Sequence, residues 1–180
     1  VALVRACREH RVPLVARGAG TGTTGAAVPT QGGVVVSFAR MDRILELRAA
    51  DRCVVVEPGV LNGGLQQTLA PYGLFWPPDP SSADLCSVGG NLATNAGGNK
   101  AVRYGTTRHQ VYSIEAVLPT GKIVNLGATL KKCSTGFCLD QLIIGSEGTL
   151  GIITKATLKL VPLPPYKLDV LAVFTDLAKA

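Results

Sequence analysis

Between two short apolar runs, Pro13-Leu14-Val15-Ala16-Arg17 and Gly33-Val34-Val35-Val36-Ser37-Phe38, lies the segment Gly18-Ala19-Gly20-Thr21-Gly22-Thr23-Thr24-Gly25. Glycine at nearly alternate positions gives this stretch no side chains to pack and a large entropy to lose in any regular element. Val28-Pro29 and Gly32-Gly33 follow at once and exclude a helix of useful length. The segment must be a loop and its flanks strands, and the continuous apolar character of the flanks predicts strands covered on both faces.

The composition is compatible with a real core. Of 180 residues, 47% are hydrophobic and 17% charged, which excludes intrinsic disorder. The length suits one domain, and 21 glycines with 11 prolines predict one rich in loops. No apolar stretch approaches the roughly 18 residues of a membrane span. The start, Val1-Ala2-Leu3-Val4-Arg5, lacks both a signal-peptide layout and an initiator Met, so we expect a soluble chain cut from something longer, with a cytoplasmic location, at most peripheral at the inner membrane. The net charge of +6 is scattered singly or in pairs such as Lys131-Lys132. That scatter argues against a nucleic-acid partner, which wants a basic stripe with stacking aromatics, yet it favours an anionic small molecule. Five cysteines with no C-x-x-C and only two histidines point to neither a disulfide framework nor a metal site.

Along the chain, Val1 to His10 reads as the tail of an amphipathic helix with Leu3, Ala6, Cys7 and His10 on one face. Strands are predicted over Ile44–Ala49 and Cys53–Glu57. A helix follows, with Asn62 as its cap and Gly73 as its end. From Phe75 to Gly105 there is little periodicity, and a loop that long within a domain is usually functional. Val111–Leu118 and Lys122–Leu126 form a hairpin across Pro119-Thr120-Gly121. A short helix is expected near Asp140–Ile144 and a β-rich run over Gly151–Val161, before a boundary at Pro162-Leu163-Pro164-Pro165.

Gly20-Thr21-Gly22-Thr23-Thr24-Gly25 matches the dinucleotide fingerprint G-x-G-x-x-G, but a Rossmann site needs a helix opening at the loop, and none can follow here. Ile144-Gly145-Ser146-Glu147-Gly148 misses the hydrolase elbow by one position. Two readings of the glycine run stay open on residue chemistry alone. One is an anion nest of consecutive N–H groups aided by the hydroxyls of Thr21, Thr23 and Thr24; the other is a glycine-rich turn that binds nothing.

Five segments in one order carry a resemblance. They are Arg17 to Gly22; Pro77-Pro78-Asp79-Pro80-Ser81-Ser82; Ser87-Val88-Gly89-Gly90-Asn91-Leu92-Ala93-Thr94-Asn95-Ala96-Gly97-Gly98; Arg103-Tyr104-Gly105; and Gly145-Ser146-Glu147-Gly148-Thr149-Leu150-Gly151-Ile152-Ile153-Thr154. Together they resemble the FAD-binding domain of the vanillyl-alcohol oxidase or p-cresol methylhydroxylase type, and in particular its glycolate oxidase D subunit and D-lactate dehydrogenase branch. The resemblance runs from about the first residue to Val161. It implies an α+β fold of two subdomains, a small βαβ unit over residues 1–60 and a larger mixed or antiparallel sheet with helices over 61–161, with 162–180 starting a cap or substrate domain.

The resemblance also implies site roles. Arg17, Gly18, Ala19, Gly20, Thr21, Gly22 and Thr23 would cradle the FAD diphosphate. Pro80, Ser81, Ser82, Ser87, Gly90, Asn91, Thr94 and Asn95 would form a second wall through backbone N–H groups and side chains. Glu147, Gly148 and Ile153 would pass the adenine or flavin end, and Tyr104 would flank the flavin ring. Neither His10 nor His109 falls in the first glycine loop, so FAD is expected to be noncovalent. The small residues between Cys133 and Cys138 favour packing over a redox pair. Departures from the branch are Phe137-Cys138 where relatives carry Tyr-Asp, His109 where they carry Asp, and above all the absence of the cap with its metal-binding histidines and catalytic base. The expected function is the FAD-binding domain of an oxidoreductase acting on a small 2-hydroxy acid, completed by a cap domain or a partner subunit. No catalytic residue is assigned, and the electron acceptor is left open.

Overall fold

The structure is a computed structural model that describes residues 1–130, 132, 134–166 and 168–179. Helix α1 (Ala2–Glu9) ends where Arg11 turns into the left-handed region at φ 53°, and it buries Cys7. Strands β1 (Leu14–Arg17) and β2 (Val34–Ser37) then pair in parallel, from Leu14 opposite Val34 to Arg17 opposite Ser37. The glycine loop makes this parallel connection, with no helix between the strands. Burial of β2 alternates, leaving Val35 40% exposed. The expectation of cover on both faces is therefore corrected for β2, while Leu14, Val15 and Ala16 of β1 are half-buried on both faces.

The remaining elements are β3 (Ile44–Arg48), β4 (Cys53–Val56), α2 (Asn62–Leu69), β5 (Leu74–Phe75), α3 (Val88–Thr94), α4 (Ala101–Tyr104), β6 (Val111–Val117), β7 (Ile123–Gly127), α5 (Leu139–Ile143), β8 (Ile152–Lys159) and β9 (Val161–Pro162). Five of the strands form one antiparallel sheet in the order β3-β4-β8-β6-β7. Strands β3 and β4 thus lie on the far side of the boundary expected at residue 60. β3 pairs with β4 and β4 in turn with β8, and the strands left to the first unit are the parallel pair.

Register determines which face becomes core. Val54 lies opposite Leu158, Val56 opposite Ala156 and Ile114 opposite Ala156, and all of them are buried. Leu65 and Leu69 of α2, Val88 and Leu92 of α3 and Ile143 of α5 close over that face. Each such side chain contributes roughly 1.5–3 kcal/mol by leaving water. Trp76, fully buried, donates from Nε1 to the Gln110 carbonyl at 3.1 Å. The outer face carries polar pairs, among them Glu115 opposite Lys155 at 2.9 Å.

Three local expectations change. Asn62 is the first helical residue of α2, not its cap, and is buried. Residues 88–94, expected as loop, are helix α3, capped by the Ser87 hydroxyl, which accepts from Gly90 N at 3.2 Å. The apolar run Leu168–Phe174 reads as a strand by composition, but among the described residues of 163–179 no strand forms, and Leu168, Val170 and Leu171 are exposed. Gly73 (φ 64°) does end the helical segment, through a 3-10 turn over Ala70–Tyr72. Among the described residues no helix is long and apolar enough to cross a membrane.

Candidate functional site

The end of β1 delivers the chain into the glycine loop, and the start of α3 stands directly opposite. A Cβ on Gly18 would collide with Ser87 Oγ and come within 3.3 Å of Gly90 N, so only glycine lets the two segments approach. On the other side, Val88 N donates to Val60 O at 2.8 Å and Gly89 N to Pro58 O at 2.7 Å, which docks α3 onto the turn after β4. The C-terminal end of α3 is held by a second turn, where Gly145 N donates to Leu92 O at 2.9 Å and Glu147 N to Ala93 O at 2.8 Å. Three chain segments far apart in sequence are thereby locked around one helix.

They enclose a crevice of about 270 Å³. Gly18, Ala19, Gly20, Thr21, Gly22 and Thr23 line one wall, Pro80, Ser81, Ser82, Ser87, Gly90, Asn91 and Thr94 the other, and Glu147 and Gly148 one end. Ser82 Oγ donates across the mouth to Thr21 Oγ1 at 3.4 Å. Of the remaining residues expected at the site, Arg17 lies at the edge with its guanidinium folded against Gly20. Ile153 borders an adjoining apolar recess shared with Ala16, Phe38 and Gly151. Asn95 and Tyr104 are not brought to the crevice. Asn95 ends α3 in the left-handed region at φ 49° and its Oδ1 accepts from Arg108 N at 2.9 Å. Tyr104 packs edge-on against Phe75, with ring centres 5.5 Å apart.

The walls differ in what they offer. Among the described residues no backbone N–H from Ala19 to Gly25 donates to a protein acceptor, so the first wall is a run of free donors beside threonine hydroxyls. In the second wall the N–H groups of Val88, Gly89, Gly90 and Asn91 are already used, and the Ser87 hydroxyl is the helix cap. Thr94 Oγ1 donates back to Gly90 O at 3.0 Å. Asn91, 3% exposed, is bonded to Asn62 Nδ2 at 3.1 Å and to Cys86 Sγ at 3.2 Å, and Asn62 Nδ2 also reaches Pro78 O at 3.0 Å. The backbone donors of residues 88–95 are thus taken up in forming and capping the helix, whereas among the described residues the amides of Ser81, Ser82 and Ser87 donate to no protein acceptor.

Thr24, named with the anion nest but left out of the residues expected to cradle the diphosphate, is in the lining, and sequence reasoning missed Ala16, Ala26, Ala27, Cys86, Ala93 and Ala96 there. Thr24 carried a signal, since it lies inside the glycine run; the alanines and the cysteine have no polar signature to find. Cys138 is exposed and free, and Phe137 is 93% exposed, so neither is a packing residue; Cys133 lies outside the described residues. The histidines stand elsewhere: His10 is exposed, and His109 Nδ1 accepts from Thr106 N at 3.1 Å.

A concave site with one wall of unpaired amides suits a diphosphate, whose oxygens must be hydrogen-bonded when withdrawn from water. The adjoining apolar recess suits a flat ring. A family model described as FAD binding domain matches residues 1–127. The chain belongs to the FAD binding domain family. The domain is 44% identical over 174 residues to a protein named glycolate oxidase subunit GlcD of Bacillus subtilis, covering 97% of this chain and 37% of that one. It is 46% identical over 176 residues to a D-lactate dehydrogenase of Anaerostipes hadrus, covering 98% and 37%. Among solved structures it resembles an alkyldihydroxyacetonephosphate synthase with a TM-score of 0.77 at 29% identity, over 92% of this chain and 32% of that one. The domain therefore spans a little over a third of the length of the curated relatives it matches. FAD is its cofactor, and its α+β arrangement of a small parallel unit and a larger antiparallel sheet is the FAD-binding fold of the p-cresol methylhydroxylase type.

Proposed function

We propose that this domain serves a flavin-dependent oxidoreductase that oxidises a D-2-hydroxy acid of the glycolate or D-lactate class to the 2-oxo acid. The observation that carries the reading is the crevice at α3, with free amides from Ala19 to Gly25 on one wall and a packed surface on the other. The names of the curated relatives supply the substrate class.

In the reaction a hydride leaves C2 of the acid while the hydroxyl proton passes to a base; accepting that hydride is the chemistry FAD supplies when bound. The work of this chain is to bind and orient. The glycine loop would hold the diphosphate through its N–H groups, with Arg17 adding a charge at the edge. Gly18 and Gly90 let the two walls close on the ligand, which excludes water from the diphosphate and fixes its direction. The recess bordered by Phe38, Gly151 and Ile153 would take one ring end. Of the crevice residues, Glu147 carries the one carboxylate and Cys86 the one thiol, and Cys86 Sγ is occupied by Asn91. The base would come from elsewhere in a longer protein, as a cap domain following residue 161, or from a partner subunit. A chain spanning about a third of its relatives also favours a second reading, an FAD-binding subunit inactive until that partner joins it.

We propose noncovalent FAD, which the placement of both histidines away from the crevice supports. The test is an absorption spectrum of the purified protein with and without added FAD, followed by acid precipitation. Flavin bands that appear on addition and pass into the acid supernatant are the expected result. Flavin that stays with the pellet overturns noncovalent binding, and failure to take up FAD at micromolar concentration overturns the site.

A further inference from the structure

We infer that the Glu147 carboxylate binds a vicinal pair of sugar hydroxyls of FAD; this rests on the cofactor reading above. Glu147 sits at φ 54°, between Gly145 at 89° and Gly148 at 82°. That left-handed conformation is costly for a residue with a long side chain and free for glycine. The turn takes glycine at both neighbouring left-handed positions and glutamate at the third. Nothing within the fold repays the difference. The Glu147 side chain is exposed, and among the described residues it makes no hydrogen bond and no ion pair. What the turn needs from residue 147 is its N–H, donated to Ala93 O, which any residue supplies.

Glu147 instead lies at the end of the crevice, the one charged residue in its lining among the described residues. It cannot serve the diphosphate, because like charges repel in a partly desolvated site. It must face donors. In FAD the groups directly joined to the diphosphate are the ribose of adenosine on one side and the ribityl chain on the other, and both carry adjacent hydroxyls. Two carboxylate oxygens accept from two hydroxyls without further rearrangement. The rings lie one sugar farther from the diphosphate than this residue's place beside the glycine loop requires. Arg17, without an ion-pair partner among the described residues and folded against Gly20, has the sign suited to phosphate, so the two charges at the crevice divide the ligand between them.

The experiment compares the protein with Glu147→Gly and Glu147→Gln, measuring dissociation constants for FAD and ADP by calorimetry and the melting temperature without ligand. Loss of a charge-assisted acceptor weakens FAD by about tenfold to a hundredfold in Glu147→Gly, with a smaller loss in Glu147→Gln. Relief of the backbone raises the ligand-free melting temperature of Glu147→Gly by about 2–4 °C. A residue with a merely structural role gives the opposite shift. If ADP weakens alongside FAD, the hydroxyls are those of the ribose; if FAD weakens alone, they belong to the ribityl chain. Either result supports the inference. Equal FAD affinity in all three proteins overturns it, as does a lowered melting temperature in Glu147→Gly. Failure of the unsubstituted protein to bind FAD is a separate result, which overturns the cofactor site as well.

Discussion

Gly18 and Gly22 sit in the same loop and do different things. A side chain at Gly18 meets Ser87 Oγ and the amide of Gly90, whereas one at Gly22 meets nothing within 4 Å. Gly18→Ala should destabilise the ligand-free protein by about 1–3 kcal/mol, as overpacking does, and weaken FAD because the walls part. Gly22→Ala should leave the melting temperature unmoved while raising the FAD dissociation constant, since only a ligand occupies the space it faces. Paired thermal melts and FAD titrations check this; equal behaviour of the two variants would contradict the assignment of the loop. The role of glycine here was legible from composition, but which glycine touches protein and which faces open space was not. That distinction depends on Ser87, which is distant in sequence.

Between elements, two carboxylates hold strands and turns in register. Glu57, at the end of β4, accepts from Arg43 N at 2.9 Å, Nε at 3.2 Å and Nη2 at 2.8 Å. Glu115 of β6 accepts from Lys155 Nζ at 2.9 Å and Thr154 Oγ1 at 2.7 Å. Hydrogen bonding from Arg43, and from Lys155 with Thr154, holds both carboxyls below the ordinary glutamate value. A lowered folded pKa means the unfolded chain binds protons first as acid is added. The stability from these groups is therefore complete above about 4.3, the ordinary value, and is lost as pH falls through their folded values. Melting temperature should drop across that range, and Glu57→Gln with Glu115→Gln should make the drop shallower while lowering stability at neutral pH. An unchanged acid slope in the double variant would locate the sensitivity elsewhere. The strands carrying these pairs were readable from β-branched runs and from the Pro119-Thr120-Gly121 turn. Helix α3 was not, because Gly89 and Gly90 lower helix propensity, and its formation depends on the Ser87 cap and on docking to Pro58 and Val60.

In the molecule as a whole, residues 163–179 contribute little to the core. Leu163 N donates to Gly73 O at 2.8 Å, but Leu168, Val170, Leu171 and Val173 are each more than 80% exposed. Removing residues 168–180 should leave the melting temperature and FAD affinity unchanged and reduce aggregation, since exposed apolar segments associate. A fall of several degrees would show that the segment packs. Local chemistry in the sequence was enough to place most of the strands and to exclude a Rossmann site, because turn residues and apolar period act over a few positions; it left the glycine loop open between an anion nest and a turn that binds nothing. Long-range pairing decided the rest. Strand β4 joined the large sheet because its buried face matches β8, and β3 followed as the edge strand beside β4. In the second wall α3 took up the amides of residues 88–95 by forming, and left those of Ser81, Ser82 and Ser87. Glu147 reached the crevice because its turn closes the end of that same helix, a contact with Ala93 that no local pattern encodes.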